Sequence, residues 1–279
     1  MIMSRSPSPY YPTWSFPALG VVALTYTVLN HAWVALHRRL LGREPLFLKR
    51  QLLTIAPTPS TGGKIAIVTG SNTGIGLETA KALVVDHGMT VILACRSRDK
   101  AERAAQSIND AIRPHHKGQA LFLHPLDLSS FASVREFATK VKEAYPQGIH
   151  VLVNNAGRNT SGKSQDLFQG KEALDLLYQS NFLGHFLLTA ELVDLLSKGG
   201  AKQTEEARIV NLSSVMHHYC GGCDVESLQF WKDCALAAKP PMDSYSPSKL
   251  AALLFSIELN KRLLAKKKIR SIAVNPGAV

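Results

Sequence analysis

Cysteine is scarce in this chain, and this scarcity narrows the class of protein to which the chain can belong. So few thiols among 279 residues exclude a disulfide framework and indicate a reduced, cytosol-facing protein. Cys220 and Cys223 follow His217 and His218, but no second Cys-x-x-Cys pair exists to complete a zinc site. The pair therefore predicts a solvent-exposed, glycine-rich loop without a metal. The four cysteines are Cys95, Cys220, Cys223 and Cys234.

Acidic residues are also few, 21 against 32 Lys and Arg, which gives a net charge of +11. A basic chain of this kind could bind nucleic acid. However, no aromatic residues interleave with the cations, as a base-stacking surface would require. One basic cluster lies in residues 1–50, and the other ends a predicted helix at 261–270, where cations suit the helix dipole. The distribution predicts a solvated or membrane-facing surface and no nucleic-acid partner.

Charged residues are absent altogether from 16–36. A helix of that length rises about 31 Å, enough to cross a membrane. Because most of the nearby cations follow this segment, the domain after it is expected on the cytosolic side. We therefore expect an N-terminal tail over 1–15, a transmembrane anchor over 16–36, and a basic juxtamembrane segment and linker over 37–63. A mitochondrial presequence is the alternative, because residues 1–50 carry Arg and Ser with little acid.

From Lys64 onward, short apolar runs alternate with segments of helical periodicity. Apolar runs without alternation are typical of strands buried on both faces of a parallel sheet. Strands that alternate with helices imply right-handed crossovers. The pattern predicts a Rossmann-type, doubly wound α/β domain over 64–279 with strand order 3-2-1-4-5-6. The predicted strands are 65–68, 90–94, 120–123, 150–153, 208–212 and 270–274, and the predicted helices are 75–87, 98–112, 130–144, 171–197 and 244–266.

A glycine-rich turn lies between the first predicted strand and the first predicted helix. Glycines there let the backbone approach a pyrophosphate, and the helix N-terminus supplies N–H donors. Its place in a strand–turn–helix unit predicts dinucleotide binding. The residues of this turn expected to bind the cofactor are Gly70, Ser71, Asn72, Thr73, Gly74, Ile75 and Gly76.

The second predicted strand ends at Cys95 and Arg96, where an NAD site usually has an acidic residue. A guanidinium group binds phosphate well. Arg96 therefore predicts a contact to a 2′-phosphate and hence NADP(H) as the cofactor, with Arg98 as a second cation for the same group.

Tyr245 and Lys249 lie four residues apart on a predicted helix and so share one of its faces. A cation beside a phenol favours the phenolate form, which suits proton transfer during the reversible reduction of a carbonyl. Ser214 lies upstream, after an apolar run.

These residues and several motifs resemble, in order, the short-chain dehydrogenase/reductase family, and most closely its membrane-anchored, retinol-dehydrogenase-like branch. The resemblance covers residues 64–279. Family members continue beyond this point, so a seventh strand is expected to be missing and the domain to be truncated at its C-terminus. The matching motifs are Thr69-Gly70-x-x-x-Gly74-Ile75-Gly76, Asp127-Leu128, Asn154-Asn155-Ala156-Gly157, Asn181 within 180–189, Ser213-Ser214, Tyr245-x-x-x-Lys249 and Asn275-Pro276-Gly277.

The resemblance implies four catalytic residues. Ser214 would polarise the substrate carbonyl, and Tyr245 would donate or accept the proton. Lys249 would bind the nicotinamide ribose, and Asn181 would hold a water that links Lys249 to solvent. From the sequence alone, Asn181 could also be purely structural, and His185 is expected to be a packed core histidine rather than a base.

The resemblance also implies cofactor contacts outside the glycine turn. Asp127 would bind the adenine amine with Leu128 beside the ring, although Asp127 could instead cap the helix that begins near Ser130. The remaining contacts are the central-sheet and adenosine-ribose residues Asn154, Ala156 and Gly157, and the nicotinamide neighbours Pro276 and Gly277.

The function implied is hydride transfer between NADP(H) and a carbonyl or alcohol of an apolar substrate, of retinoid, steroid or long-chain aldehyde type. An insertion over 216–243 would border the substrate mouth. The expected location is the endoplasmic reticulum membrane with a cytosolic catalytic domain, or alternatively mitochondria, and homo-oligomerisation is left open.

Two other functions remain: an inactive, membrane-tethered NADP-binding protein or partial gene product, and light-dependent protochlorophyllide reduction, which shares the Tyr/Lys pair.

Overall fold

Six parallel strands form the centre of this computed structural model, which describes residues 63–112, 117–159, 174–201, 206–220, 223–236 and 244–277. The strands lie in the order β3-β2-β1-β4-β5-β6, and all neighbouring pairs are parallel. This confirms the predicted sheet and its strand order. The strands are β1 (Ile65–Thr69), β2 (Thr90–Ala94), β3 (Gln119–Leu121), β4 (Val151–Asn154), β5 (Ala207–Leu212) and β6 (Ile269–Val274).

Helices cover both faces of the sheet, which explains why its strands are continuously apolar. In β1, Ile67 packs into the core formed with one set of helices, whereas Ala66 and Val68 pack into the core on the other face. All three side chains are fully buried. The helices are α1 (Gly74–Val85), α2 (Arg98–Asp110), α3 (Phe131–Ala144), α4 (Leu176–Tyr178), α5 (Gly184–Ala201), α6 (Leu228–Leu236) and α7 (Tyr245–Lys267).

The prediction of one continuous helix over 171–197 is wrong, because two α-helices and a π-helical stretch occupy the described part of that range. Asp175 caps α4, its carboxylate accepting a hydrogen bond from the Tyr178 N–H at 2.6 Å, so residues 174 and 175 precede the helix. Between α4 and α5 the chain makes a π-helical stretch, Gln179–Leu183. A π-turn is wider than an α-turn and is often found at functional sites. Here it contains Asn181.

Cys220 corrects the prediction of a solvent-exposed loop. It ends the 3₁₀ helix Val215–Cys220 and is only 3% exposed. Burial raises the pKa of its thiol to about 12 and that of the buried Cys234 thiol to about 11. These two cysteines therefore behave as packed apolar side chains within the predicted insertion.

The predicted tail, anchor and linker over 1–63 lie almost entirely outside the described residues and stay predictions. In the part of the chain that the structure describes, no helix combines the length and apolar character needed to cross a membrane.

Gly199 lets the end of α5 approach the start of β4. A Cβ atom at this position would collide with the Ile149 carbonyl oxygen, and the Ile149 N–H donates to the Leu195 carbonyl at 3.1 Å. Backbone atoms on both sides leave little room for adjustment.

We expect Gly199→Ala to lower the free energy of unfolding by about 2–3 kcal/mol, because helix and strand must separate to admit the methyl group. Urea-induced unfolding measures this change. Lys198→Ala, at an exposed position of the same helix, is the control and should change stability by less than about 0.5 kcal/mol. Equal stability of the two variants would contradict the proposed close packing.

Candidate active site

The glycine turn joins β1 to α1 at the carboxyl edge of the sheet. Gly70 and Gly74 have φ angles of +64° and +57°, which favour glycine. A Cβ atom on Gly70 would lie 2.9 Å from the Ala156 Cα, and one on Gly76 would collide with the Gly70 carbonyl oxygen. Thr73 makes no side-chain capping bond, and the first turn of α1 has no acidic residue. The N–H groups at this helix end are therefore not capped by Thr73, and the turn fits the pyrophosphate of a dinucleotide.

A cleft opens beside this turn, where the strand order reverses between β1 and β4. The loops after β1, β2, β3 and β4 and the π-helical stretch form its walls. The structure thus brings together many of the residues that the sequence predicted for the cofactor. Those that line the cleft are Gly70, Asn72, Arg96, Asp127, Leu128, Ala156, Gly157 and Asn181.

Asp127 lies in the cleft with its carboxylate held in place. Its Oδ1 accepts hydrogen bonds from the Ser129 N–H at 3.0 Å and from the Ser129 hydroxyl at 2.6 Å. The residue that caps α3 is Ser130, whose hydroxyl accepts from the Ser133 N–H. The alternative in which Asp127 caps this helix is therefore wrong.

Other predicted cofactor residues lie elsewhere. The Asn154 side chain is 3% exposed and donates to the Thr189 hydroxyl at 3.1 Å and to the Asn211 Oδ1 at 2.7 Å, so it braces the sheet. The buried Ser71 hydroxyl donates to the Val68 carbonyl at 2.8 Å, so this side chain is engaged within the turn itself.

Two predicted residues, Ile75 and Pro276, line an apolar groove on the α1 side of the sheet rather than the cleft. Thr73 is exposed at the start of α1. The exposed Gly277 N–H donates to the Asn275 Oδ1 at 3.1 Å, which shapes the turn after β6.

Lys249 is the charged group at the centre of the predicted catalytic residues. It is 5% exposed, and its Nζ donates to the Leu212 carbonyl at 2.9 Å. The same nitrogen lies 5.5 Å from the centroid of the Tyr245 ring. Burial lowers the pKa of Lys249 to about 8, so the ammonium form still predominates at neutral pH.

Two adjacent serines follow β5, and they differ in what their hydroxyls do. The Ser213 hydroxyl is buried and donates to the Lys249 carbonyl at 2.8 Å. The Ser214 Oγ accepts from the Met216 N–H at 3.3 Å, so its own proton stays available for another acceptor. This geometry favours Ser214 over Ser213 as the residue that faces a substrate oxygen.

Asn181 clamps the chain after β4. Its Oδ1 accepts from the Arg158 N–H at 2.9 Å, and its Nδ2 donates to the Arg158 carbonyl at 3.0 Å. A Cβ atom on Gly157 would lie 3.4 Å from the Lys249 Nζ and 3.7 Å from the Asn181 Oδ1. Three segments that are distant in sequence therefore meet at one point beside the cleft.

His185 connects this clamp to β1. Its Nδ1 lies 3.1 Å from the Asn181 carbonyl oxygen and its Nε2 lies 2.9 Å from the Thr69 Oγ1. A carbonyl oxygen only accepts, so Nδ1 carries the proton and Nε2 accepts from Thr69. The same Thr69 oxygen accepts from the N–H groups of Asn155 and Ala156 at 3.0 and 2.9 Å. His185 is 4% exposed, which confirms a packed core histidine.

Arg158 and Ser180 are cleft-lining polar residues that sequence reasoning missed. The signal for Arg158 was a cation directly after the Asn-Asn-Ala-Gly motif. Ser180 carries no such signal, because its position depends on the π-helical stretch.

The sheet, the glycine turn and the pairing of Lys249 with Tyr245 correspond to one family. A family model described as short chain dehydrogenase matches residues 64–222, and the chain belongs to this family.

Known relatives refine that assignment. Retinol dehydrogenase 13 of Homo sapiens is 40% identical over 217 residues, which cover 77% of this chain and 59% of that protein. Retinol dehydrogenase 11 of Mus musculus is 40% identical, covering 78% of this chain and 62% of that protein. A short-chain dehydrogenase/reductase of Armillaria gallica is 36% identical, covering 84% of this chain and 71% of that protein. These relatives bear out the predicted resemblance to the retinol-dehydrogenase-like branch, although the alignments span only about 60% of the length of the two retinol dehydrogenases.

Solved structures show the same fold. A metagenomic short-chain oxidoreductase in complex with NADP is 27% identical, with a TM-score of 0.56, covering 78% of this chain and 84% of that one. RhlG of Pseudomonas aeruginosa, solved as an active-site complex with NADP, is 25% identical, with a TM-score of 0.59, covering 79% and 74% of the two chains.

The buried His185 makes a testable contribution to pH dependence. Burial, and secondarily the charge of Lys249, lowers its pKa from 6.5 to about 4. Between these values the unfolded chain binds a proton that the folded chain does not, so stability falls as pH falls from about 6.5 toward 4.

We expect the free energy of unfolding of the wild-type chain to fall more steeply over this window than that of His185→Gln. The difference in slope should reach about 1.4 kcal/mol per pH unit. Urea unfolding at a series of pH values measures it, and the other histidines contribute equally to both proteins. Parallel curves for the two proteins would show that His185 is not held neutral.

Proposed function

We propose that this chain is an NADP(H)-dependent oxidoreductase that transfers a hydride between the cofactor and a carbonyl or alcohol carbon of an apolar substrate. The observation that carries the proposal is the approach of the buried Lys249 ammonium to Tyr245, next to the Gly157 loop that lines the dinucleotide cleft.

The choice of NADP(H) rests on the end of β2. Arg96 is exposed and lines the cleft where an NAD-specific protein would have an acid. Arg98, the second predicted cation, pairs with Glu102 at 3.8 Å and stacks over the Phe122 ring at 5.5 Å. Arg96 is therefore the better placed of the two for a 2′-phosphate. That the two solved relatives are NADP complexes supports the same choice.

Proton transfer would use Tyr245. In the reductive direction its hydroxyl donates a proton to the substrate oxygen, and in the oxidative direction it accepts that proton. The Lys249 ammonium, beside the Tyr245 ring, would hold the nicotinamide ribose. The Ser214 hydroxyl would donate a hydrogen bond to the negative charge that develops on the substrate oxygen. The bound nicotinamide would supply or accept the hydride.

The substrate class follows from the relatives and from the sequence. Two relatives are retinol dehydrogenases, and the predicted anchor over 16–36 would place the site beside a membrane, where apolar compounds accumulate. We therefore propose a retinoid, a steroid or a long-chain aldehyde or its alcohol as substrate, and the endoplasmic reticulum membrane as the location.

Replacement of the proton donor tests the activity. We expect Tyr245→Phe to lower kcat by about 100- to 10,000-fold, because the variant lacks the hydroxyl that transfers the proton, while the Kd for NADPH changes by less than about twofold. NADPH oxidation with retinal, a 3-ketosteroid and a long-chain aldehyde measures turnover, and quenching of NADPH fluorescence measures binding. The control is Tyr145→Phe, at the end of α3.

Full activity in Tyr245→Phe would contradict the assignment of Tyr245 as the proton donor. NADPH binding by the wild-type chain without turnover on any substrate of the panel would instead support the inactive, NADP-binding alternative.

Charge reversal at Arg96 tests the cofactor. We expect Arg96→Asp to weaken NADPH binding by at least about tenfold and to leave or improve NADH binding, because a carboxylate repels a 2′-phosphate and can accept from a ribose hydroxyl. Titration with each dinucleotide gives both Kd values. Arg103→Asp, which reverses an exposed charge on α2, controls for the change in net charge. An unchanged NADPH:NADH ratio in Arg96→Asp would exclude the contact.

A further inference from the structure

Arg158 is a second guanidinium in the cleft, and the family motifs give it no role. It follows Gly157 directly and is half-buried. Its side chain forms no ion pair with any carboxylate of the described ranges, and neither does that of Arg96, the other cleft arginine. An arginine that lines a concave site without a carboxylate partner is available for an anionic ligand.

The position of Arg158 is fixed by its backbone. The Asn181 side chain binds both its N–H and its carbonyl, at 2.9 and 3.0 Å. Only the side chain therefore loses freedom when it binds a ligand, which keeps the entropic cost small. This clamp also gives Asn181 a task that is distinct from holding a water.

The location along the cleft indicates which anion Arg158 meets. Gly157 lies next to Lys249, so the loop that carries Arg158 ends at the half of the site where proton transfer would occur. Arg96 lies after β2 and lines the same cleft as Asp127. Between the two halves is the glycine turn, which packs against Ala156 in the same loop as Arg158.

The charges of the cleft also indicate that a cofactor phosphate is the ligand of Arg158. Within the part of the chain that the structure describes, the charged side chains that line the cleft are Arg96, Arg158 and Asp127. A dianionic pyrophosphate and a 2′-phosphate with a charge of about −1.5 to −2 would face no net positive charge if Arg158 did not take part.

From these observations we propose that Arg158 binds the pyrophosphate of the dinucleotide, together with the glycine turn. This inference rests on the proposed function and adds a cofactor-binding residue to it. A pyrophosphate is common to both nicotinamide dinucleotides, so Arg158 contributes to affinity without discriminating between them, whereas Arg96 discriminates.

The experiment measures the Kd of NADPH and of NADH for the full chain and its variants by fluorescence titration. Arg158→Ala should weaken both dinucleotides by the same factor, about tenfold. Arg158→Lys, which keeps the charge, should lose less than about threefold. Arg135→Ala, on α3 and outside the cleft, should match the wild-type chain. The loss in Arg158→Ala should also shrink as salt is added, because the contact is electrostatic.

Three results would overturn the inference. These are unchanged Kd values in Arg158→Ala, a loss confined to NADPH, which would place Arg158 on the 2′-phosphate, or equal losses in the alanine and lysine variants. Circular dichroism confirms that each variant is folded. A wild-type chain that bound neither dinucleotide would overturn the proposed function as well, so the two failures are distinguishable.

Discussion

A buried ammonium holds together the carboxyl edge of the sheet. Burying a charge is costly unless hydrogen bonds compensate, and Lys249 meets this condition through the Leu212 carbonyl at the end of β5. Its own carbonyl accepts from Ser213, so α7 and the end of β5 are joined twice. The positions of Tyr245 and Ser214 both follow from this junction, since one lies a turn before Lys249 and the other directly after Ser213.

The interior polar network extends this bracing across the sheet. Asn154 in β4 donates to Asn211 in β5, and Asn211 donates to Ser256 in α7 at 2.8 Å and to Ser271 in β6 at 3.3 Å. Asn260 then binds both the N–H and the carbonyl of Ser271, at 2.7 and 2.6 Å. Buried networks of this kind tolerate few alternative arrangements, because any shift leaves a polar group unpaired. They therefore fix how the last strand and α7 are set against the nucleotide-binding half.

The sequence predicted the elements whose cause is local. Apolar runs predicted the strands, the glycines predicted the turn, and the spacing of Tyr245 and Lys249 predicted a shared helical face. The π-helical stretch could not be predicted, because one wider turn hardly disturbs the apolar periodicity of the flanking helices. The hydrogen bond between His185 and Thr69 could not be predicted either, because the two residues are 116 positions apart and meet only in the folded sheet. The buried state of Cys220 likewise depends on contacts that its Gly-rich neighbourhood does not indicate.

The two halves of the candidate site come from separate parts of the chain. Every described residue that lines the nucleotide cleft lies between Gly70 and Asn181, whereas Tyr245 and Lys249 lie on α7, near the end of the sheet's last crossover. Because synthesis proceeds from the N-terminus and domains form as the chain emerges, the segments that make the cleft leave the ribosome well before α7. The growing polypeptide thus contains the described lining of the nucleotide cleft before it contains the residues proposed to move a proton.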